Sequence, residues 1–215
     1  MNTGNKKEKI KLKAIKPTLK TGAEKLTVEN VETKYSLLNF WQWSVSDILS
    51  NATRGRFAEF IVGTAIDMDL QNLRDEWDAY DLSTEDGVKI EIKSASYIQS
   101  WQQSDYSRIN FSIKPTKHWD AKNGMSRGEA KRHADVYVFC LLKHKDQKTI
   151  NPLQMEQWDF YVVPTHKLDN YARSKSSITL NSLKKLVQAN SYFELKEKIY
   201  EKYTEQLKHK SKNLF

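Results

Sequence analysis

Asp81, Glu91 and Lys93 are the residues whose types and spacing point most directly to chemistry. The run Val88-Lys89-Ile90-Glu91-Ile92-Lys93 alternates strictly between apolar and charged residues, the period of a β-strand. Lys89, Glu91 and Lys93 therefore share one face, and Val88, Ile90 and Ile92 the other. A half-exposed strand with a solvated polar face gives the same alternation, so the partner strand decides the matter. Glu85-Asp86-Gly87 has the composition of a hairpin loop. As a three-residue loop with glycine in the left-handed position, it closes on Thr84 and Val88 and sets Asp81 opposite Glu91. Directly opposite residues hold their Cβ atoms about 4.5–5.5 Å apart, a separation at which two carboxylates can share a divalent cation. As a two-residue loop it shifts the register by one. Asp78 then shares the Glu91 face but lies about 13 Å along the strand, too far to share an ion. Lys93 stands about 6.6 Å along from Glu91 on the same face. Two oxygen donors suit magnesium, which favours carboxylates, waters and substrate phosphate. A lysine beside them can orient a nucleophile or neutralise a phosphoryl transition state. Together these groups suit phosphodiester hydrolysis.

A fourth acid, Glu59, lies in the segment from Asn51 to Ile66, which is apolar nearly all round and so predicts a buried helix. Charged groups are almost never buried unless paired or holding a metal. Glu59 is either the partner of a base such as Arg56 or a further outer ligand of the same cation. Other elements must position this set. Ser44 and Asp47 have capping-box spacing and predict a helix start. Strands are expected over Glu76–Leu82, Val88–Lys93, Ile109–Ile113, Asp135–Leu142 and Trp158–Val163, the last closed by Pro164. The near-continuous apolar run ending at Leu142 predicts a central strand covered on both faces. A helix follows Asn181. Ser191 and Glu194 form a second capping box, which opens a last helix with Leu195, Ile199, Tyr200 and Tyr203 on one side. Helices, then strands, then helices make a mixed α/β or α+β domain.

The helical Glu59, then Asp81, then Glu91-Ile92-Lys93 on the strand after a hairpin resembles the PD-(D/E)XK, restriction-endonuclease-like nuclease superfamily. The resemblance covers Arg54 to about Leu142. It implies an α/β (α+β) domain with a mixed central sheet flanked by helices. It also implies a magnesium-dependent nuclease, with manganese as a substitute, that hydrolyses DNA as an endonuclease of restriction or repair type. Asp81 and Glu91 would bind the metal, Lys93 would assist the attacking water, and Glu59 would correspond to the helical glutamate some members use. Tyr80, where the motif commonly has proline, is a departure. Gln99 lies in the polar stretch that follows the lysine in many bacterial members. At six residues past Lys93, about 20 Å along a straight strand, it joins the site only if the chain bends back. The alternative is a nucleic-acid-binding protein of the same fold that does not cut.

The chain has 215 residues and a formal net charge of +8, unevenly placed. Residues 1–25 carry +6, residues 196–215 carry +3, and the stretch between is close to neutral. The expected organisation is a basic arm over 1–25, a catalytic domain over 26–190 and a basic amphipathic helix over 191–215. A polar and aromatic stretch after Ser94 leads into a basic one, which reads as a loop. Gln99, Arg108, Lys114, Lys117, Arg127 and Lys131 in it are candidates for phosphate or base contact with DNA. The longest apolar run, Val136 to Leu142, is far short of the roughly 20 residues of a membrane helix, and no signal peptide is expected. A lone cysteine, Cys140, fits a reducing cytoplasm and a packing role. None of the five histidines has ligand spacing to another, which disfavours zinc, and no glycine-rich phosphate loop supports an ATP-driven enzyme. A duplex cutter needs two active sites, so a homodimer is a candidate assembly.

Overall fold

The computed structural model describes residues 12, 15–71, 79–120 and 125–212. Most of the basic arm expected over 1–25, and Glu76, Trp77 and Asp78, lie outside them. A hairpin of β1 (Lys25–Val28) and β2 (Val31–Ser36) runs directly into α1 (Leu37–Val45). Helix α2 (Asn51–Ala65) follows, capped by the Ser50 hydroxyl, which accepts from the Thr53 N–H. Then come β3 (Leu82–Ser83), β4 (Lys89–Ser96), β5 (Asn110–Ser112), β6 (Thr116–Asp120), β7 (Met125–Lys131) and β8 (Val136–Leu142). The chain ends with β9 (Trp158–Pro164), α3 (Thr165–Asp169), β10 (Ser177–Thr179), α4 (Leu180–Leu186) and α5 (Leu195–Lys212).

Four strands form the central sheet in the order β3-β4-β8-β9. β4 and β8 are parallel, and both outer pairs are antiparallel. The mixed sheet flanked by helices is the α+β architecture expected. Every residue of β8 is buried, because helices or further strands cover both its faces. Alternation divides the core into two layers. Ile90, Ile92, Val136, Val138, Cys140 and Leu142 pack with α2 and α5 residues such as Ala58, Ile61, Leu195 and Ile199. Tyr137, Phe139 and Leu141 pack on the opposite side with Phe111, Leu168, Ile178 and Leu183. α5 thus belongs to the same core as the sheet. Its outer positions tie it to the sheet's loops: Tyr200 donates to Asp86 (2.9 Å) and Lys210 pairs with Asp135 (2.7 Å).

Three expectations change. No helix starts at Ser44. α1 ends at Val45, and its cap lies upstream, where the Ser36 N–H donates to the Asn39 side chain (2.9 Å). Asp47 instead accepts from the Leu49 and Ser50 N–H groups in a turn, the competing use of a short acid that makes capping patterns ambiguous. Within the described part of the strand expected over Glu76–Leu82, only Leu82 carries ladder pairing, and it continues to Ser83. The basic stretch after residue 113 is not a loop but a two-stranded ribbon, β6 with β7, its bulge marked by Gly128 at φ +77°. The segment Ile109–Ile113 does contain a strand, but it pairs with β10, outside the central sheet.

Candidate active site

The hairpin before β4 decides the register. The Thr84 N–H donates to the Val88 carbonyl (3.1 Å) and the Gly87 N–H to the Thr84 carbonyl (2.9 Å), with Gly87 at φ +84°. This is the three-residue loop with glycine in the left-handed position. Leu82 pairs with Ile90 and Ser83 with Lys89. One step further back, Asp81 comes beside Glu91.

Regular pairing stops at Leu82, and Asp81 completes the strand edge with its own groups. Its N–H donates to the Ile90 carbonyl (3.0 Å), and its Oδ2 accepts from the Ile92 N–H (2.6 Å). A side-chain oxygen thus takes the place of a ladder carbonyl, and these two bonds, on either side of Glu91, fix where the carboxylate points. Glu91 and Lys93 leave β4 on the face shared with Ala95, which packs with Tyr137 and Phe139. The parallel register sets Glu91 next to Tyr137 and Lys93 next to Phe139. Lys93 Nζ lies between the acids, 2.5 Å from Glu91 Oε1 and 3.9 Å from Asp81 Oδ2. The side chains of Asp81, Glu91 and Lys93 are 17 %, 20 % and 30 % exposed, shielded but open to a ligand.

Burial pushes the Glu91 carboxyl above the usual carboxylate range; the Lys93 charge opposes that shift and the Asp81 charge adds to it. Tyr137 is pushed up as well, first by burial and then by the Glu91 charge. The Lys93 ammonium thus faces two partly desolvated carboxyl groups. A hard divalent cation fits this donor set. Among the described residues no group of three or more His, Cys, Asp or Glu converges. A cation here would take Asp81 and Glu91 as its described protein ligands and complete its shell with waters and substrate oxygens, as magnesium commonly does.

Glu59 is half-buried on α2. That helix packs on the Ile90/Ile92 face of β4, opposite the face carrying Glu91 and Lys93. Gln99 does bend back, but inward. It is 8 % exposed, its Oε1 accepts from Arg54 Nη1 (3.0 Å), and its Nε2 donates to the Ser96 carbonyl (2.8 Å) and to Ser107 Oγ (3.1 Å). Its amide is bonded within the chain, where it links α2 to the segment after β4.

Arg54 is the hub of that link and went unnoticed in the sequence. It is 3 % exposed and also reaches Ser94 Oγ (3.2 Å), the Leu49 carbonyl (2.7 Å) and Asn51 Oδ1 (2.5 Å). Burial lowers its pKa. It ties α2 to β4 one residue beyond Lys93. Its helical row with Ala58, Ile61 and Val62 was the available signal, a base at a core position.

Of the other DNA candidates, Arg108, Lys114, Lys117 and Lys131 are exposed. Lys117 and Lys131 ride on the β6–β7 ribbon, Lys114 lies just before it, and Arg127 stands in β7 opposite His118. Cys140 is fully buried, which pushes its thiol pKa up and leaves it in a packing role. No described helix is long and apolar enough to cross a membrane.

No curated protein matches the chain. A family model described as bacteriophage T4 endonuclease IV matches residues 2–182, a span that contains Glu59, Asp81, Glu91, Lys93 and the β6–β7 ribbon and ends within α4. On that match the chain belongs to the bacteriophage T4 endonuclease IV family, a family of endonucleases.

Proposed function

We propose that the chain is a magnesium-dependent endonuclease that hydrolyses DNA phosphodiester bonds, and that its site is of the PD-(D/E)XK type. The observation that carries this reading is the meeting of Asp81, Glu91 and Lys93 where β3 gives way to Asp81 beside β4, in a chain whose family is an endonuclease family. Asp81 and Glu91 would hold the cation, with Glu59 as a further acid on the neighbouring helix. When bound, magnesium supplies positive charge against phosphoryl oxygens and makes water a stronger acid.

The protein's own groups do the rest. The Ile92 N–H holds the Asp81 carboxylate in place before any ligand arrives, so little ordering is left for binding. Burial keeps Glu91 in a poorly solvated setting, where its charge seeks a cation. Lys93 balances the two acids in the free protein. Once a divalent ion takes over that balance, its ammonium can donate to the attacking water or to a phosphoryl oxygen. The exposed bases on and before the β6–β7 ribbon would hold the phosphate backbone through charge alone.

Cleavage of DNA by the purified full chain, with magnesium and with chelator, tests the proposal. Asp81→Ala should abolish magnesium-dependent cleavage and Lys93→Ala should lower it by about 10²–10³-fold, while DNA binding persists. Cleavage surviving both substitutions overturns the site. Steeply salt-dependent binding without cleavage by the wild type overturns the activity and leaves a binding protein of the same fold.

A further inference from the structure

Past the end of β4 the chain builds a pocket that the acids and Lys93 do not use. Trp101, Gln103, Asp105, Tyr106, Lys145 and Gln147 line it, around a cavity of about 430 Å³, in the size range of small-ligand sites. Trp101 and Tyr106 are 52 % and 49 % exposed, so about half of each aromatic side chain meets solvent. Lys145 is held in place. Its ammonium lies 4.4 Å from the centre of the Tyr97 ring and 5.3 Å from that of Tyr106, and its carbonyl accepts from the Tyr106 hydroxyl (2.9 Å). The wall of the pocket is tied to the core. The Gln103 amide donates to the Tyr97 carbonyl (3.2 Å) and to Ser107 Oγ (3.1 Å), and its Oε1 accepts from the Gln99 N–H (2.7 Å). Gln99 is bonded in turn to the buried Arg54. The loop is therefore formed before any ligand arrives, and little ordering is left for binding. Tyr97 packs in the same layer as Ala95, on the Glu91 and Lys93 side of β4. Four residues separate it from Lys93, about 13 Å of extended chain, or about four nucleotides at the ~3.4 Å rise of a duplex strand.

We infer that this pocket holds one unstacked nucleobase of the DNA strand cut at Asp81, Glu91 and Lys93, an inference that rests on the nuclease reading above. Trp101 and Tyr106 offer rings on which a flat base can stack, as any base can. Lys145, fixed beside them, offers charge to a phosphate next to that base. Asp105 and Asp146 also line the cavity, so a bare phosphate is a poor occupant, while the exocyclic amine of a base finds acceptors there. Asp146 is partly committed to its own loop, where it accepts from the Lys148 N–H (2.9 Å) and from Thr149 Oγ1 (2.9 Å). Asp105 and Gln147 are left as the exposed polar groups for the base edge. A paired base is held between its neighbours in the stack. The occupant therefore comes from a single strand or from a locally opened duplex.

Fluorescence anisotropy of short labelled DNA strands with the full chain, in chelator so that binding is read apart from magnesium-dependent cleavage, tests it. Trp101→Ala should weaken binding of a single strand roughly 5- to 100-fold, the worth of one stacked base, with an unchanged circular dichroism spectrum. Trp101→Phe should recover most of that loss. Phe193→Ala, at a side chain 92 % exposed and outside this pocket, should leave the affinity unchanged. A strand of equal length without bases should bind wild type and Trp101→Ala alike, and so should a closed duplex. Equal affinity of wild type and Trp101→Ala for the base-bearing strand overturns the inference, as does an equal loss on the strand without bases. The nuclease reading fails separately. A wild type that never cleaves with magnesium yet shows the Trp101 effect overturns that reading and leaves a base-binding pocket. A wild type that cleaves without the Trp101 effect overturns the pocket alone.

Discussion

At the residue scale, the site is two acids sharing one lysine, and the charge balance yields two predictions. Because Lys93 faces both carboxylates, Lys93→Ala removes the base and leaves the acids repelling one another. Magnesium-supported turnover should fall by about 10²–10³-fold, the usual cost of losing one group that stabilises developing charge, with the spectrum of the folded protein unchanged. The second concerns pH. Burial holds the Glu91 pKa above its ordinary value, so the folded protein binds that proton more tightly than the unfolded chain. The stabilising contribution of the protonated form is present below the ordinary carboxylate range and is lost as pH rises through the raised value. Metal-free wild type should therefore lose stability relative to Glu91→Gln as pH rises above the ordinary carboxylate range, read as a difference in Tm, and magnesium should reverse the trend. The pairing of Asp81 with Glu91 was readable in the sequence because strand period and loop length fix register arithmetically. The bond from the Ile92 N–H to Asp81, and the neighbourhood of Tyr137, were not, because each depends on which strand lies alongside.

At the element scale, a short hairpin sets the register of the site, and β6 with β7 forms a separate two-stranded ribbon. Gly87 sits at φ +84°, where an added Cβ meets no neighbouring atom within 4 Å but strains the backbone. Gly87→Ala should cost about 1–2 kcal/mol in a urea titration. It should lower activity more than a surface substitution of equal cost, because the loop sets the Asp81–Glu91 register. On the ribbon, Lys117→Ala and Lys131→Ala should each weaken DNA binding evenly across sequences, and each should reduce the slope of log affinity against log salt by about one. The ribbon escaped the sequence reading for a physical reason. Its described side chains, Lys117 and Lys131 among them, are exposed, and without a buried face a strand leaves no period-two apolar signature. The turn from Asp47 to Ser50 misled for the opposite reason, since Asp serves turns as readily as helix starts. β4 and β8 were plain, because burial on one or both faces stamps its period on the residues, whereas α2, expected to be buried, buries one side only and leaves Phe60 49 % exposed.

At the scale of the whole molecule, the excess of bases over acids belongs to the two ends. The net charge of +8 lies in the two ends, while the near-neutral middle spends acids on the site. α5, which carries much of the C-terminal charge, is packed against the sheet through Leu195 and Ile199 and bonded to the Asp86 loop through Tyr200. It braces the hairpin that sets the site, so Tyr200→Phe should lower stability slightly, measured by chemical denaturation. The central claim is that Asp81 and Glu91 hold a divalent cation and that Lys93 yields to it. Anomalous scattering from crystals of the full chain soaked in manganese tests this most directly. The account predicts a manganese peak between the two carboxylates with the Lys93 ammonium moved off Glu91; the Lys93–Glu91 bridge still closed, with no peak at the pair, would contradict it.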